Sequence, residues 1–328
     1  MKYKCLLFDQ DRKAKIIERD TDSWVLKSGE LIIRAEYSSI NYKDALGVLD
    51  RSPIFKIHPI VPGIDVAGVV VKSQSKSFKE GDLVLVNGMG LGEDKDGGYA
   101  EYVKAPDSIV VKRPKALTSR QAMALGTAGF TAALAVDRMI TNGQTFEKGP
   151  ILVSGATGGV GSFAIQILSQ LGFFVEATTS RPEEYQTYLE DLGAHLVSNV
   201  KEIICEDQPP LVKAQWGGVI DNLGGAFLQS VLPAVELWGN VASIGLAMDA
   251  KLNTTVMPFI LRGVSLLGAS SNNCEKFKRD ELWERLSDSW RPQHIEELIT
   301  EEVQLEDVPK ACERLIGHSN HGRVVVKI

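Results

Sequence analysis

The nine residues Ser154-Gly-Ala-Thr-Gly-Gly-Val-Gly-Ser162 carry four glycines directly behind the apolar run Ile151-Leu152-Val153. Backbone that bare can serve a tight turn, a close helix–strand contact or a phosphate cradle, and little else. Val160, Ala164, Ile167, Leu168 and Leu171 follow at helical spacing, and Gly172 stands where a helix stop is expected. The glycines therefore occupy a strand-to-helix turn. The first amides of a helix lack partners and its dipole favours an anion there, so this turn can approach a pyrophosphate closely.

Ala156-Thr-Gly158-Gly-Val-Gly161 is a dinucleotide-binding fingerprint with alanine at its first position. A nucleoside-triphosphate loop is excluded, because no Gly-Lys-Ser/Thr closes the turn. Beyond Gly149, six apolar runs at 151–154, 173–178, 195–198, 218–221, 241–245 and 264–268 alternate with helix-length segments. That alternation predicts a doubly wound parallel sheet, an α/β Rossmann domain. NAD-binding sheets place an acidic residue about 20 positions past the glycines to grip the adenosine ribose. Here that place holds Thr179-Ser180-Arg181, a hydroxyl and a guanidinium suited to a 2′-phosphate, so NADPH is the expected coenzyme. The competing expectation is that Arg181 is a solvated helix start paired with Glu184.

Residues from Leu31 to about Val111 read instead as short strands broken by turns, a compact β-rich lobe. Thr118 then caps alanine-rich helical sequence through about Met139, a second amphipathic helix is expected around Lys276–Trp290, and the closing "GRVVVKI" reads as a strand returning to the first lobe. With 44% hydrophobic and 24% charged residues the composition is that of an ordinary globular protein. The net charge of −6, without a long basic run, argues for a small-molecule partner and against nucleic acid or an anionic membrane. No stretch reads as a signal peptide or a membrane span, so a cytoplasmic location is expected. Cys5, Cys205, Cys274 and Cys312 are scattered, and His58, His195, His294, His318 and His321 show no metal-ligand spacing beside them, so no metal is expected.

"SINYKDAL" (39–46), "PIVPGIDVAGVV" (59–70), "GDLVLVNG" (81–88), "GGYAEYV" (97–103), "GTAGFTA" (126–132) and "TTVMPFILRGVSLLG" (254–268), together with the glycine turn, carry a likeness that runs nearly end to end. The chain resembles the zinc-independent quinone oxidoreductase branch of the medium-chain dehydrogenase/reductase superfamily, and within it the acryloyl-CoA reductase group. The resemblance implies a GroES-like catalytic domain over 1–125 and 269–328 enclosing a Rossmann NADPH-binding domain over 126–268. Zinc-dependent relatives carry Gly-His-Glu where Gly63-Ile64-Asp65 stands, in keeping with the metal-free expectation. It assigns coenzyme contacts to Tyr42, Thr157, Gly158, Gly159, Val160, Gly161, Thr179, Ser180 and Arg181, and further ones to Leu246, Ile260, Ser271 and Asn320. The chain departs from these relatives at Ser180, where they have glycine, and at Ser270, where they have aspartate.

The implied reaction is NADPH-dependent reduction of a small 2-enoyl-CoA, acryloyl-CoA to propionyl-CoA, by hydride addition at the β-carbon. Negative charge then collects on the thioester oxygen; the Asn41 amide and the Tyr42 hydroxyl are candidate donors to it or orienting groups for the nicotinamide, Asn41 first. Asp44 is a candidate for organising the loop or relaying a proton; equally, Asn41 and Asp44 are common turn and capping residues. Arg262 and Arg323 either meet the phosphates of a CoA substrate or face water beside their strands. Quinone reduction and a non-catalytic nucleotide- or RNA-binding role are the alternatives. Pairing of the last Rossmann strand, "VSLLGAS", across a two-fold axis predicts a homodimer.

Overall fold

The computed structural model describes residues 1–205, 207–317 and 320–328. It divides into two compact units: Met1–Thr127 with Ser271–Asp288 and Ile295–Ile328, and Ala128–Ser270 with Ser289–His294.

The first unit opens with β1 (Lys2–Phe8), β2 (Ala14–Asp20), β3 (Glu30–Ile40), α1 (Tyr42–Val48), β4 (Asp65–Ser73), β5 (Leu83–Asn87), β6 (Tyr102–Pro106) and β7 (Val111–Lys112). The helix α2 (Ser119–Thr141) carries the chain out of it. In the second unit β8 (Ile151–Val153), α3 (Gly159–Gln170), β9 (Val175–Thr179), α4 (Pro182–Asp191), β10 (Leu196–Asn199), α5 (Val200–Ile203), β11 (Trp216–Asp221), α6 (Gly225–Val231), β12 (Val235–Ser243), α7 (Met257–Arg262) and β13 (Ser265–Gly268) follow in turn. The chain then re-enters the first unit for α8 (Lys276–Ser287), β14 (Ile299–Val303), α9 (Val308–Ile316) and β15 (Arg323–Lys327).

All six strands of the second unit are parallel, in the order β10-β9-β8-β11-β12-β13. Each expected apolar run supplies one of them. The order reverses next to β8, the switch point at which doubly wound sheets take their ligands. In the first unit a seven-stranded sheet runs β14-β15-β3-β4-β5-β7, with β6 also pairing β3. The closing strand β15 pairs antiparallel with β3, setting Val324 against Ile40. Residues some 280 positions apart in the sequence thereby become neighbours. One core of this unit gathers Cys5, Phe8, Ile40, Ala45, Tyr99, Cys312 and Val324, so α1 is packed down from below by α9 and β15. The other unit closes over Leu152, Val219, Phe227, Val231 and Val241.

Two expectations about helices need correction. The alanine-rich segment is not one uninterrupted helix, because Gly126 breaks it with φ 47° and ψ −148°. It is also long and apolar enough to cross a bilayer, contrary to the reading that no stretch approached that length, but 83% of its apolar window is buried inside the protein. Its apolarity is that of a core helix.

Candidate functional site

In the first unit the loop "SINYKD" ends β3 and starts α1. Asn41 is the N-cap, in extended conformation, and its backbone N–H donates to Asp44 Oδ2 at 3.0 Å in a capping box. Asp44 is buried, and its other oxygen accepts from the Ile64 N–H at 2.9 Å, which ties α1 to the start of β4. The same Asn41 side chain donates to Asp65 Oδ2 at 2.7 Å and Asp44 Oδ2 at 3.1 Å. Asp65 also accepts from Ser39 Oγ at 2.7 Å, from the Thr127 N–H at 2.8 Å and from Thr127 Oγ1 at 2.6 Å. Asp65, fully buried, is the hub.

Arg323, at the start of β15, supplies the buried positive charge. Its Nε donates to Ala124 O at 2.7 Å, its Nη1 to Ile40 O at 3.3 Å, and its Nη2 to Ser39 Oγ at 3.0 Å and Asn41 Oδ1 at 3.2 Å. The helix break is what admits these contacts. A Cβ on Gly126 would lie 2.5 Å from Asp65 Oδ2 and 3.0 Å from Ser39 Oγ, and its positive φ is strained for any other residue. Two carboxylates and one guanidinium leave the cluster one negative charge in excess if all are ionised. Burial, followed by the adjacent Asp65, accordingly pushes the Asp44 carboxyl up to about 7, against the opposing pull of the Asn41 and Ile64 N–H groups. Burial disfavours the Arg323 charge, while Asp65 and Asp44 support it.

This geometry revises three sequence expectations. The Asn41 amide is spent on Asp65 and Asp44, so it holds the cluster together and has no donor left over for a substrate oxygen. Arg323 neither meets a phosphate nor faces water; at 4% exposure its guanidinium is consumed inside the cluster. Arg262 donates to the carbonyls of Pro233 at 2.8 Å, Val235 at 3.1 Å and Val212, so it pins the end of α7 to the preceding turn. Tyr42, by contrast, is 39% exposed and its hydroxyl lies outside this network. The hub residues Ser39, Asp65 and Thr127 were not among the predicted site residues. A signal existed, since Asp65 follows the Gly63-Ile64 pair and Thr127 follows Gly126 inside quoted motifs.

In the second unit the glycine turn has the expected place between β8 and α3. Gly155 takes φ 57°, so the tight turn is made one residue ahead of the fingerprint's first position. Gly158 is the N-cap of α3, and a Cβ there would find only Gly155 O, at 3.3 Å. On Gly161 a Cβ would lie 2.4 Å from Gly155 O and 2.7 Å from Ala156 Cα. Thr157, Gly159 and Val160 complete a half-exposed rim. A cradle without side chains at a helix N-terminus fits a diphosphate. Ser162 Oγ donates to Ala156 O at 3.1 Å and meets the Tyr188 hydroxyl at 3.0 Å, fixing the turn to α4.

At the end of β9, Thr179 is buried and Ser180 exposed. Arg181 caps α4, pairs with Glu184 Oε2 at 3.0 Å and lies 4.8 Å over the Tyr185 ring. At the end of β11, Asp221 was missed by sequence reasoning. It is buried, accepts from the Leu223 and Gly224 N–H groups and from Ser154 Oγ, and burial raises its carboxyl above the usual range. Asn222 donates to Ser154 O at 2.7 Å, so this turn braces the residue that begins the glycine loop. Leu246 and Ile260 are exposed in this unit; Ser271 and Asn320 belong to the first unit, where Ser271 O accepts from Arg279 Nη2 at 2.7 Å.

Among the described residues no group of three His, Cys, Asp or Glu side chains is arranged to hold a metal, and His318 lies outside them. Asp44 and Asp65 accept hydrogen bonds from Ser39, Asn41 and the Ile64 N–H.

Comparison with known proteins adds the following. Residues 27–115 match the family model of the alcohol dehydrogenase GroES-like domain, and residues 159–288 that of the zinc-binding dehydrogenases. The chain is 39% identical to the acrylyl-CoA reductase AcuI of Ruegeria pomeroyi over 99% of both chains. YhfP of Bacillus subtilis, which carries a quinone oxidoreductase name, is 41% identical over 91% of this chain and 90% of its own, and its structure with NAD bound superposes with a TM-score of 0.94 at full coverage of both chains. The yhdH oxidoreductase of Salmonella enterica, in complex with NADP, superposes with a TM-score of 0.93 at 38% identity over 99% of both chains.

Proposed function

The chain belongs to the acryloyl-CoA reductase group of the medium-chain dehydrogenase/reductase superfamily, and from that premise we propose that it reduces the C=C bond of a small 2-enoyl-CoA with NADPH, acryloyl-CoA to propionyl-CoA. The single observation that carries the reading is the glycine-rich turn at the switch point of a six-stranded parallel sheet, within a chain similar over its whole length to an acrylyl-CoA reductase.

When bound, the nicotinamide coenzyme supplies the hydride. The turn from Thr157 to Gly161 holds its diphosphate through backbone N–H groups, and Thr179, Ser180 and Arg181 take the 2′-phosphate. Leu246, Ile260, Ser271 and Asn320 are assigned to the remainder of the coenzyme. The Tyr42 hydroxyl, exposed at the first residue of α1, is the donor assigned to the thioester oxygen where charge develops. Asn41 and Arg323 serve it indirectly, by fixing the turn from which Tyr42 projects. Asp44, two residues on, carries a carboxyl raised to about 7 and so can hold a proton near neutrality. No step in this reading passes through a metal.

The reading extends to assembly and location. β13 is an edge strand of the parallel sheet, and Trp238 of the adjoining β12 and Leu261 of α7, just before β13 in sequence, are 70% and 56% exposed. An edge of that kind attracts a second strand, which supports a homodimer through β13. Light scattering that returned the mass of one chain would remove this part. A cytoplasmic location is supported by four free thiols.

The deciding assay follows NADPH absorbance with acryloyl-CoA, crotonyl-CoA and a quinone side by side. Oxidation with acryloyl-CoA, formation of propionyl-CoA and slower turnover of the quinone are expected. Turnover of the quinone alone would replace the thioester reading with the second one, for which the YhfP name speaks. No turnover of any acceptor would leave only nucleotide binding.

A further inference from the structure

The end of β9 presents a cation that already has an anion. Arg181 Nη1 lies 3.0 Å and 3.3 Å from the two carboxylate oxygens of Glu184, one helical turn along α4. The guanidinium also rests 4.8 Å over the ring of Tyr185, which is itself only 6% exposed. The two contacts differ in kind. Stacking on a buried ring fixes where the guanidinium sits and leaves its edge able to donate. The carboxylate instead occupies that edge, with the same charge and acceptor chemistry that a phosphate would bring.

We propose that Glu184 lowers the preference of this protein for NADPH over NADH, by holding the Arg181 edge against a 2′-phosphate while leaving a 2′-hydroxyl unopposed. The inference rests on the reading of Arg181 as the partner of the 2′-phosphate. NADPH must win the guanidinium from Glu184, and its phosphate must also lie beside a carboxylate. NADH makes no such demand, and its ribose hydroxyls can donate to that carboxylate. The pair therefore compresses the preference for NADPH below what Arg181 alone would give. Tyr185 keeps the guanidinium in place when Glu184 is neutralised, so the effect of the substitution is on charge and not on position.

The experiment measures Kd for NADPH and for NADH by calorimetry on the full-length wild-type chain and on Glu184→Gln, Glu183→Gln and Arg181→Ala. Exposed pairs of this kind are worth up to about 1 kcal/mol, so Glu184→Gln should raise the ratio Kd(NADH)/Kd(NADPH) about two- to fivefold. Glu183 is the adjacent exposed acid of the same turn, so its substitution removes an equal charge and should leave the ratio close to wild type. A ratio that stays put or falls in Glu184→Gln overturns the proposal, as does an equal rise in Glu183→Gln, which would assign the effect to the general field of α4. Arg181→Ala tests the underlying reading separately. A collapse of the ratio sustains it, and an unchanged NADPH Kd would show that the phosphate is held elsewhere, whatever Glu184→Gln does.

Discussion

The two functional regions are built on opposite principles. In the first unit, side chains from β3, α1, β4, β15 and the break in α2 converge on Asp65, each satisfying another, and the backbone only brings them there. The glycine turn of the second unit, proposed to hold the coenzyme, has few side chains, with Gly155, Gly158 and Gly161 keeping the backbone bare. A polar cluster of the first kind is over-determined and sensitive to the loss of any member. A bare turn is sensitive to the gain of a single atom. Deletion should therefore injure the first region, and addition the second.

Arg323 gives the sharpest test of the first half of this contrast. Arg323→Met removes the buried cation and leaves Ala124 O, Ile40 O, Ser39 Oγ and Asn41 Oδ1 without a donor they now have. Breaking a buried charged network by removing one partner costs about 3–5 kcal/mol, and urea denaturation should show a loss of that size. A loss below about 1 kcal/mol would mean that water reaches the cluster and that its pairings are interchangeable.

Asp44→Asn should produce a smaller effect, visible as a change of slope. The folded-state value of Asp44 is raised, from 3.8 to about 7, so the folded protein binds a proton that the unfolded chain releases. Its stabilising contribution is thus complete below about pH 4 and is lost as pH rises through about 7. Between pH 5 and pH 8 the wild type should lose about 1–3 kcal/mol more than Asp44→Asn, read from paired denaturation curves. Parallel curves would show that Asp44 stays ionised throughout and stores no proton for the reaction.

The same contrast explains what the sequence could disclose. A glycine turn is contiguous, so the nine residues from Ser154 announce it, and the six apolar runs announce the sheet that carries it. The end of β9 was legible for the same reason, and there the structure shows Arg181 in the competing pairing with Glu184. The cluster as a whole was not legible: the short motifs around Asp65 and Thr127 can be read locally, but only sheet register and a helix break bring those residues to Ser39 and Arg323. In sequence Asn41 reads either as a group facing a ligand or as a capping residue, and it is the N-cap of α1; Arg323 reads as meeting phosphates or water, and it does neither. Only the pairing of β15 with β3 shows that the Arg323 guanidinium reaches the Asn41 side-chain oxygen. Gly126, the residue that makes room for all of this, looks in sequence like one more small residue in an alanine-rich helix.

The smallest expected effect separates the glycines by the job each does. A methyl on Gly161 would sit 2.4 Å from Gly155 O, a backbone atom that cannot swing aside, so Gly161→Ala must shift the turn or the start of α3. It should lower both thermal stability and coenzyme affinity, the latter about tenfold. On Gly158 the methyl meets only Gly155 O at 3.3 Å, and φ −79° with ψ 168° is ordinary for alanine. Gly158→Ala should therefore fold with nearly the wild-type Tm, while its methyl occupies space that a diphosphate needs, weakening the coenzyme by a comparable factor. If Gly158→Ala binds NADPH as the wild type does, the bare backbone at that position serves the turn alone. The contrast between a site of contacts and a site of absences would then hold for Gly161 only as a matter of helix packing.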